Sequence, residues 1–578
     1  MTSTALSPQR RQQAIDTMAG PDELDILVIG GGVTGAGAAL DAVTRGLRTG
    51  LIESRDYASG TSSRSSKLIH GGLRYLEMMD FRLVHEALQE RGLLLSRLAP
   101  HLVRPVPFLY PLTHRVWERL YVGTGIGMYA AMAAGFGKDD GLPQPKHLTR
   151  RGALALMPAL KPTALTGAIQ YYDAQVDDAR FTMELSRTAG SHGALIANRV
   201  EAIGFLRQGE RVTGVRARDT ETGREFEIHA RQIINATGVW TDDTQAMVGE
   251  RGQFHVRASK GIHILVPRDR VRSTTGLILK TSKSVLFVIP WGRHWIIGTT
   301  DTDWNLDKAH PAATRADIDY LLEQVNTVFQ IPLTGEDVEG VWAGLRPLLA
   351  GESESTSKLS REHLVAHSAP GLVVVAGGKF TTYRVMAEDA VDAACSALSD
   401  AVPESVTKRT PLLGANGYAA MWNRRHELAT GAGLHVARVE HLLQRYGVLT
   451  PEVLELMMAD PSLAEPVPGS DDYVLAEIAY AVSHEGALHL DDILTRRTRI
   501  SIEAWDRGVS AAPVAARIAA GLLGWDEAYE QAEVDVYLQR VAAERESQTM
   551  PDDESADAIR LAAPEVTGLK RAATHVGG

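Results

Sequence analysis

The sequence predicts an α/β body reaching to about residue 400, followed by a separate, mainly helical domain. Three observations carry this. A strand, a glycine turn, a helix and a second strand open the body between residues 25 and 53. Further strand-like runs recur as far as residue 376, and beyond about Glu404 the apolar spacing changes to a helical period.

The run 25–29 (DILVI) is continuous, apolar and followed at once by glycines, as in a buried parallel strand. Residues 33–45 have helical spacing, and 49–53 (TGLIE) supply the second strand of a βαβ unit. Runs at 195–202, 225–236, 285–289, 295–298 and 372–376 are further strand candidates. Val474, Ile478 and Val482 then recur every fourth residue with polar neighbours, and similar stripes run through 435–446 and 512–541.

The chain has 578 residues, enough for several domains. With 44% hydrophobic and 23% charged residues it is not broadly disordered. A net charge of −11 and 6% aromatics argue against a nucleic-acid partner. The single cysteine, Cys395, excludes an internal disulfide framework and fits a reducing compartment. Residues 1–22 lack an apolar core of the kind that makes a signal peptide, and are read as an N-terminal extension. The uncharged stretch 120–137 has roughly the minimum length of a membrane span, but five glycines and several alanines favour a buried small-residue helix or a turn. Residues 546–578 read as a flexible, solvated tail.

The chemistry begins at Gly30-Gly31-Gly32-Val33-Thr34-Gly35, a GxGxxG between strand and helix. Such glycines let the backbone approach a pyrophosphate, which the helix N-terminus stabilises, and Glu53 at the end of the next strand suits a ribose diol. Instead of further regular βαβ units comes Thr61-Ser62-Ser63-Arg64-Ser65-Ser66-Lys67, then Leu68 and His70-Gly71-Gly72. Asn235-Ala236-Thr237-Gly238 ends a later strand, and Gly377-Gly378-Lys379-Phe380-Thr381-Thr382-Tyr383 follows another. A long cofactor held by distant segments explains these jointly, and FAD does so better than NAD.

The segments 61–77 (TSSRSSKLIHGGLRYLE), 176–180 (VDDAR), 235–240 (NATGVW), 297–304 (IGTTDTDW), 344–349 (GLRPLL) and 377–384 (GGKFTTYR) together resemble the aerobic, FAD-dependent glycerol-3-phosphate dehydrogenase family. The later 495–501 (TRRTRIS) resembles its C-terminal domain, and the likeness spans roughly 22–545. It implies a Rossmann-like FAD-binding domain with an inserted β-rich substrate domain, of the glutathione-reductase or D-amino-acid-oxidase type, followed by an all-helical C-terminal domain. FAD-binding parts are expected at about 23–100, 180–258 and 340–400, substrate parts at about 101–179 and 259–339, and the helical domain at 401–545.

The resemblance also implies oxidation of sn-glycerol 3-phosphate to dihydroxyacetone phosphate, with electrons passing from FAD to a membrane quinone. Gly30, Gly32, Gly35, Glu53, Thr61, Ser62, Ser63, Ser65, Lys67, Leu68, His70, Gly71, Val200, Thr237, Gly238, Gly378, Lys379 and Thr381 are the expected FAD contacts. Oxidising a secondary alcohol needs a proton acceptor besides the cofactor, and a phosphate needs cations, preferably the forked donors of arginine. Arg74, Arg346 and Lys379 are the candidate phosphate ligands, with Tyr75 as an added hydroxyl donor. His263 is the candidate base and Lys379 its competitor.

No catalytic metal is expected. His484–His489 has one residue too many for HExxH, and the calcium-loop look-alike at 301–312 lacks its glycine and closing glutamate. Arg496, Arg497 and Arg499 are expected to pair with Glu485, Asp491 and Asp492 rather than with anionic lipid. A dimer placed peripherally on the cytoplasmic face of the cell membrane is the expected assembly. Two other readings stay open: an oxidase passing electrons to oxygen, on this substrate or on an amine or amino acid, and a flavin-binding regulatory protein without turnover.

Overall fold

The computed structural model describes residues 4–72, 81–114, 122–127, 129, 142–249, 255–281, 285–349, 363–399 and 401–566. Two large sheets organise the body. The first runs in the order His363–Ala369, Leu372–Gly377, Glu225–Asn235, Leu24–Ile29, Thr49–Glu53, Leu195–Asn198. Its inner strands are parallel, the His363–Ala369 edge is antiparallel, and an antiparallel hairpin, Val200–Gln208 with Arg211–Asp219, continues from Glu225–Asn235. Helices Val33–Thr44, Asp178–Ser191 and Tyr383–Ser396 pack together on one face, burying Ile26, Val28, Leu51, Phe181, Leu185, Val373 and Ala390. This is the doubly covered arrangement that near-continuous apolar strands require. The run expected as one strand over 195–202 is two, because Arg199 takes φ 56° between them.

The second sheet has ten strands and is largely antiparallel. It gathers strands from Val103–Leu112, Gly167–Val176 and Val256–Pro267, among others, into one layer. Strand Gly340–Leu349, expected within an FAD-binding part, belongs here: it pairs along its whole length with Val256–Pro267. That pairing sets Ser259 opposite Arg346 and His263 opposite Trp342.

Among the described residues 401–566 the chain is helical apart from one hairpin, Pro466–Val467 with Ser470–Val474. The expected stripes become Val436–Tyr446, Leu475–Glu485, Ala512–Leu523 and Glu527–Ser547. Buried ion pairs fasten this domain to the body. Asp56 receives Arg497 at 2.7 and 2.8 Å and Arg496 at 2.6 Å, Asp492 receives Arg199 at 2.7 Å, and Asp177 receives Arg499 at 2.6 Å. Arg496 also meets Asp491 and Asp492, as expected, whereas Arg497 and Arg499 find their acids in the body and Glu485 pairs with Arg180. Burial would raise the Asp56 carboxyl, yet Arg497 and Arg496 hold it well below the usual carboxylate range.

The expectation of a flexible tail is corrected for its described part. Residues Asp553–Ala562 form a helix with Ala556 fully buried in a cluster containing Val239, Trp304 and Leu345. Asp553 pairs with Lys260, and Glu565 with His310 at 3.0 Å. One buried alanine and scattered ion pairs leave too faint a stripe to read in sequence. The N-terminal extension is also docked: helix Pro8–Met18 buries Ile15 and Met18 against the first sheet. Among the described residues no helix is long and apolar enough to cross a membrane, and of 120–137 only 122–127 and 129 are described.

Candidate active site

One cavity of about 790 Å³ runs from the glycine turn, past the segment 61–70, to the second sheet and the helical domain. Its first end is built by the βαβ unit. Gly30 has φ 111°, and a Cβ there would lie 2.7 Å from the Ala236 carbonyl. Gly32, at the start of helix Val33–Thr44, has no side chain to cap it and lines the cavity with its backbone. Gly35 does not line it. A Cβ on Gly35 would strike the Gly30 carbonyl at 1.9 Å, so its role is close helix–strand packing.

Glu53 lines the cavity and accepts the Gly31 N–H at 2.7 Å and the Arg55 N–H at 2.8 Å. Burial raises its pKa, against the lowering effect of these two amides. Thr237, Gly238 and Val200 line the same end.

The segment 61–66 is pinned along the cavity. Thr61 Oγ1 donates to the Leu345 carbonyl at 2.6 Å, and Ser62 Oγ accepts the Val33 N–H at 2.9 Å. Ser63, Leu68 and His70 line the cavity. Ser65 does too, but both its amide and its hydroxyl go to Asp178, at 2.9 and 2.7 Å.

Besides Gly35, two expected cofactor contacts lie elsewhere. Lys67 is fully buried against Asp178 at 2.7 Å, a structural ion pair behind the cavity wall. Gly71 gives its N–H to the Tyr129 hydroxyl at 2.8 Å, and a Cβ there would meet Leu88 and Tyr129 at 2.7 Å. Gly378, Lys379 and Thr381 line the cavity as expected, and Thr381 Oγ1 bonds the His70 backbone at 3.2 Å.

At the far end His263 and Arg346 meet. His263 is 2% exposed, lies flat on Trp342 with ring centroids 5.0 Å apart, and has Nε2 2.8 Å from Ser66 Oγ. Its pKa falls well below the ordinary value through burial, then through the charges of Arg346 and Lys67. A Cβ on Gly298 would collide with the imidazole at 2.2 Å, so the absent side chain makes its seat. The Arg346 guanidinium donates to Thr299 Oγ1 at 3.0 Å and the Thr300 carbonyl at 3.1 Å, with Asp301 3.4 Å away. It lies over Gly261, where a Cβ would stand 2.4 Å from Nη2. Arg74 and Tyr75 lie outside the described residues.

The sequence reading missed Ser66 and Trp342 beside His263, and Thr299 and Asp301 beside Arg346. Ser66 and Thr299 stand within motif segments, but Trp342 carries no local signal. Only the pairing of two distant strands puts it under the histidine.

These residues fit FAD. The glycine cradle would be filled by any Cβ at Gly30, Glu53 closes the strand beside it, and backbone and hydroxyl groups follow in order to a pocket holding a neutral imidazole and a guanidinium.

Comparison with known proteins agrees. Residues 25–392 match the family model described as FAD dependent oxidoreductase, and 405–530 match the C-terminal domain of alpha-glycerophosphate oxidase. Glycerol-3-phosphate dehydrogenase 2 of Mycobacterium tuberculosis is 55% identical over 97% of this chain and 95% of its own length. Mitochondrial glycerol-3-phosphate dehydrogenase of Bos taurus is 36% identical over 91% of this chain and 74% of its own. The crystal structure of a Bacillus halodurans glycerol-3-phosphate dehydrogenase complexed with FAD superposes with a TM-score of 0.76. It is 29% identical and covers 94% of this chain and 98% of its own.

Proposed function

Because the chain belongs to the FAD-dependent glycerol-3-phosphate dehydrogenase family, we propose that it oxidises sn-glycerol 3-phosphate to dihydroxyacetone phosphate at the cavity end formed by His263, Arg346 and Lys379. The observation that carries this is the pairing of a buried, neutral imidazole with a guanidinium in one lining. Bound FAD supplies the two-electron acceptor for the C2 hydride. Gly30, Gly32, Glu53, Ser62, Thr237 and Thr381 would hold it.

The protein residues divide the remaining work. Arg346, held by Thr299 and Thr300, offers its fork to the phosphate, and Lys379 adds a second cation. Anchoring the remote phosphate orients the C2 hydroxyl, so binding energy is spent on alignment. His263, kept deprotonated by burial and by Arg346, takes the hydroxyl proton. Trp342 and Gly298 fix the plane of its ring.

The assembly extends the proposal. The electrons pass to a membrane quinone, and the protein sits peripherally on the cytoplasmic face of the cell membrane as a dimer. Exposed Trp505 and Val509 on the helical domain support an interfacial contact. High salt or mild detergent should release such a protein, and peroxide formed in step with turnover would replace the quinone by oxygen.

The test of the substrate is anaerobic flavin bleaching by glycerol and by glycerol 3-phosphate. The phosphate ester should be strongly preferred, and Arg346→Ala should lose about 2–5 kcal/mol of that preference. Equal efficiency on the two alcohols would reject the assignment.

A further inference from the structure

The cavity does not end at the oxidation site. A lobe reaches between the segment 61–66 and the helical domain, walled by Arg64, Arg507, Tyr537, Arg540, Glu544 and Arg560. Its charges do not balance. Glu544 alone meets both Arg507, at 3.3 Å, and Arg560, at 3.1 Å. Asp491 is held by Arg496 at 2.8 Å and reaches Arg540 only at 4.0 Å. Glu565 bonds His310 at 3.0 Å but keeps its negative charge, because that ring is neutral, and Arg540 donates to the Pro564 carbonyl and meets His310 Nδ1, so Glu544 and Glu565 face four arginines. Arg64 has no carboxylate within 4 Å among the described residues. Among the described residues its guanidinium donates to the Ala309 carbonyl at 3.1 Å.

We propose that this lobe is a second anion site, binding the phosphate group of a small phosphorylated metabolite between Arg64, Arg540 and Arg560. Guanidinium forks match phosphate oxygens in pairs, and a dianion offsets the excess of positive charge that the lobe's own carboxylates leave. The local field agrees. Burial, then the neighbouring Arg560 and Arg496, lowers the Arg64 pKa to about 9, and burial, opposed by Glu565, still leaves His310 at about 4. Around Arg64 the neighbouring charges are mainly positive, Arg560, Arg496 and Arg55 against Asp491, and they act in the same direction as burial. The site is built jointly by the body and by the segment after Ser547, so it exists only when that segment is docked.

The test counts inorganic phosphate bound to the FAD-loaded holoenzyme by calorimetry and equilibrium dialysis. Two sites are expected, one abolished by Arg346→Gln and the other by Arg64→Gln. If the substrate reading fails, a single Arg64-dependent site remains, so the two failures are told apart. Arg64→Gln should weaken its site at least tenfold with FAD content unchanged. Arg64→Lys, which keeps the charge without the fork, should weaken it less. Arg560→Gln, at a partly exposed position, gives the same answer should Arg64→Gln not fold. An undiminished phosphate count in Arg64→Gln and Arg560→Gln overturns the proposal. Loss of FAD from Arg64→Gln with phosphate binding intact overturns it too, because the charge then serves the cofactor's own pyrophosphate.

Discussion

Replacing His263 tests the chemical core of the proposed reaction. The ring is 2% exposed, stacked on Trp342 and bonded to Ser66, and burial together with Arg346 and Lys67 keeps it deprotonated. Two consequences follow from that state. A base whose pKa lies well below the ordinary value gives no acid limb at that value, so flavin reduction by glycerol 3-phosphate should lose no rate through this ring around pH 6.5. Removing a positioned base costs about 10²–10⁴-fold, or about 3–5 kcal/mol of barrier at 1.36 kcal/mol per decade. His263→Ala also opens a void beside Trp342, so His263→Gln, which fills more of the space, is the companion variant. The assay is anaerobic single-turnover bleaching of the flavin, with FAD content measured alongside. Both variants should retain FAD and reduce it slowly. Reduction at the wild-type rate in both would move the proton acceptor to Lys379 or water. A wild-type acid limb with a midpoint near 6.5 that both variants abolish would refute the deprotonated imidazole.

Three further outcomes are expected. Glu53→Ala removes a carboxylate that orders the glycine turn through the Gly31 and Arg55 amides, and a charged hydrogen bond is worth about 1.5–3 kcal/mol. FAD should therefore dissociate about tenfold or more readily, measured by fluorescence on dilution, and an unchanged constant would count against the assignment. Asp56→Asn leaves Arg496 and Arg497 buried with less compensation, at a cost of about 3–5 kcal/mol read from urea unfolding of the holoenzyme. His101 is fully buried with neither ring nitrogen bonded, and burial, then Arg104 and Arg180, lowers its pKa to about 3. Below about 6.5 the unfolded chain binds a proton there that the folded chain refuses. Stability should thus fall as the pH drops from that value towards the folded pKa, by about 2 kcal/mol at pH 5. His101→Leu should flatten that part of the acid slope, and an identical slope in the variant would refute the attribution.

Much of the cofactor end was legible in sequence because its chemistry is local. Gly30, Gly32 and Glu53 lie within one strand–turn–helix–strand unit, and backbone approach to a pyrophosphate demands glycine at fixed spacing. The segment 61–70 and the loop after Leu372–Gly377 were visible as hydroxyl- and glycine-rich breaks at strand ends. Lys67 and Gly71 misled for a related reason. They sit in the same run as true lining residues, and a run does not say which side of the wall a side chain faces. Asp178, more than a hundred positions later, turns Lys67 inward.

The sequence by itself determined the α/β body, the helical domain after residue 401, the glycine cradle with its acid, and the candidacy of His263, Arg346 and Lys379. Each depends on periodicity or on residues close along the chain. Only the tertiary structure decided that His263 lies on Trp342 beside Ser66, that Arg346 rests over Gly261 against Thr299, and that the segment after Ser547 closes a cationic lobe around Arg64. Those arrangements arise from strands paired across long separations and from the charge left over when two domains meet. A histidine's protonation state and an arginine's lack of a carboxylate are properties of surroundings, set by burial and by neighbouring charges that the order of residues does not place side by side.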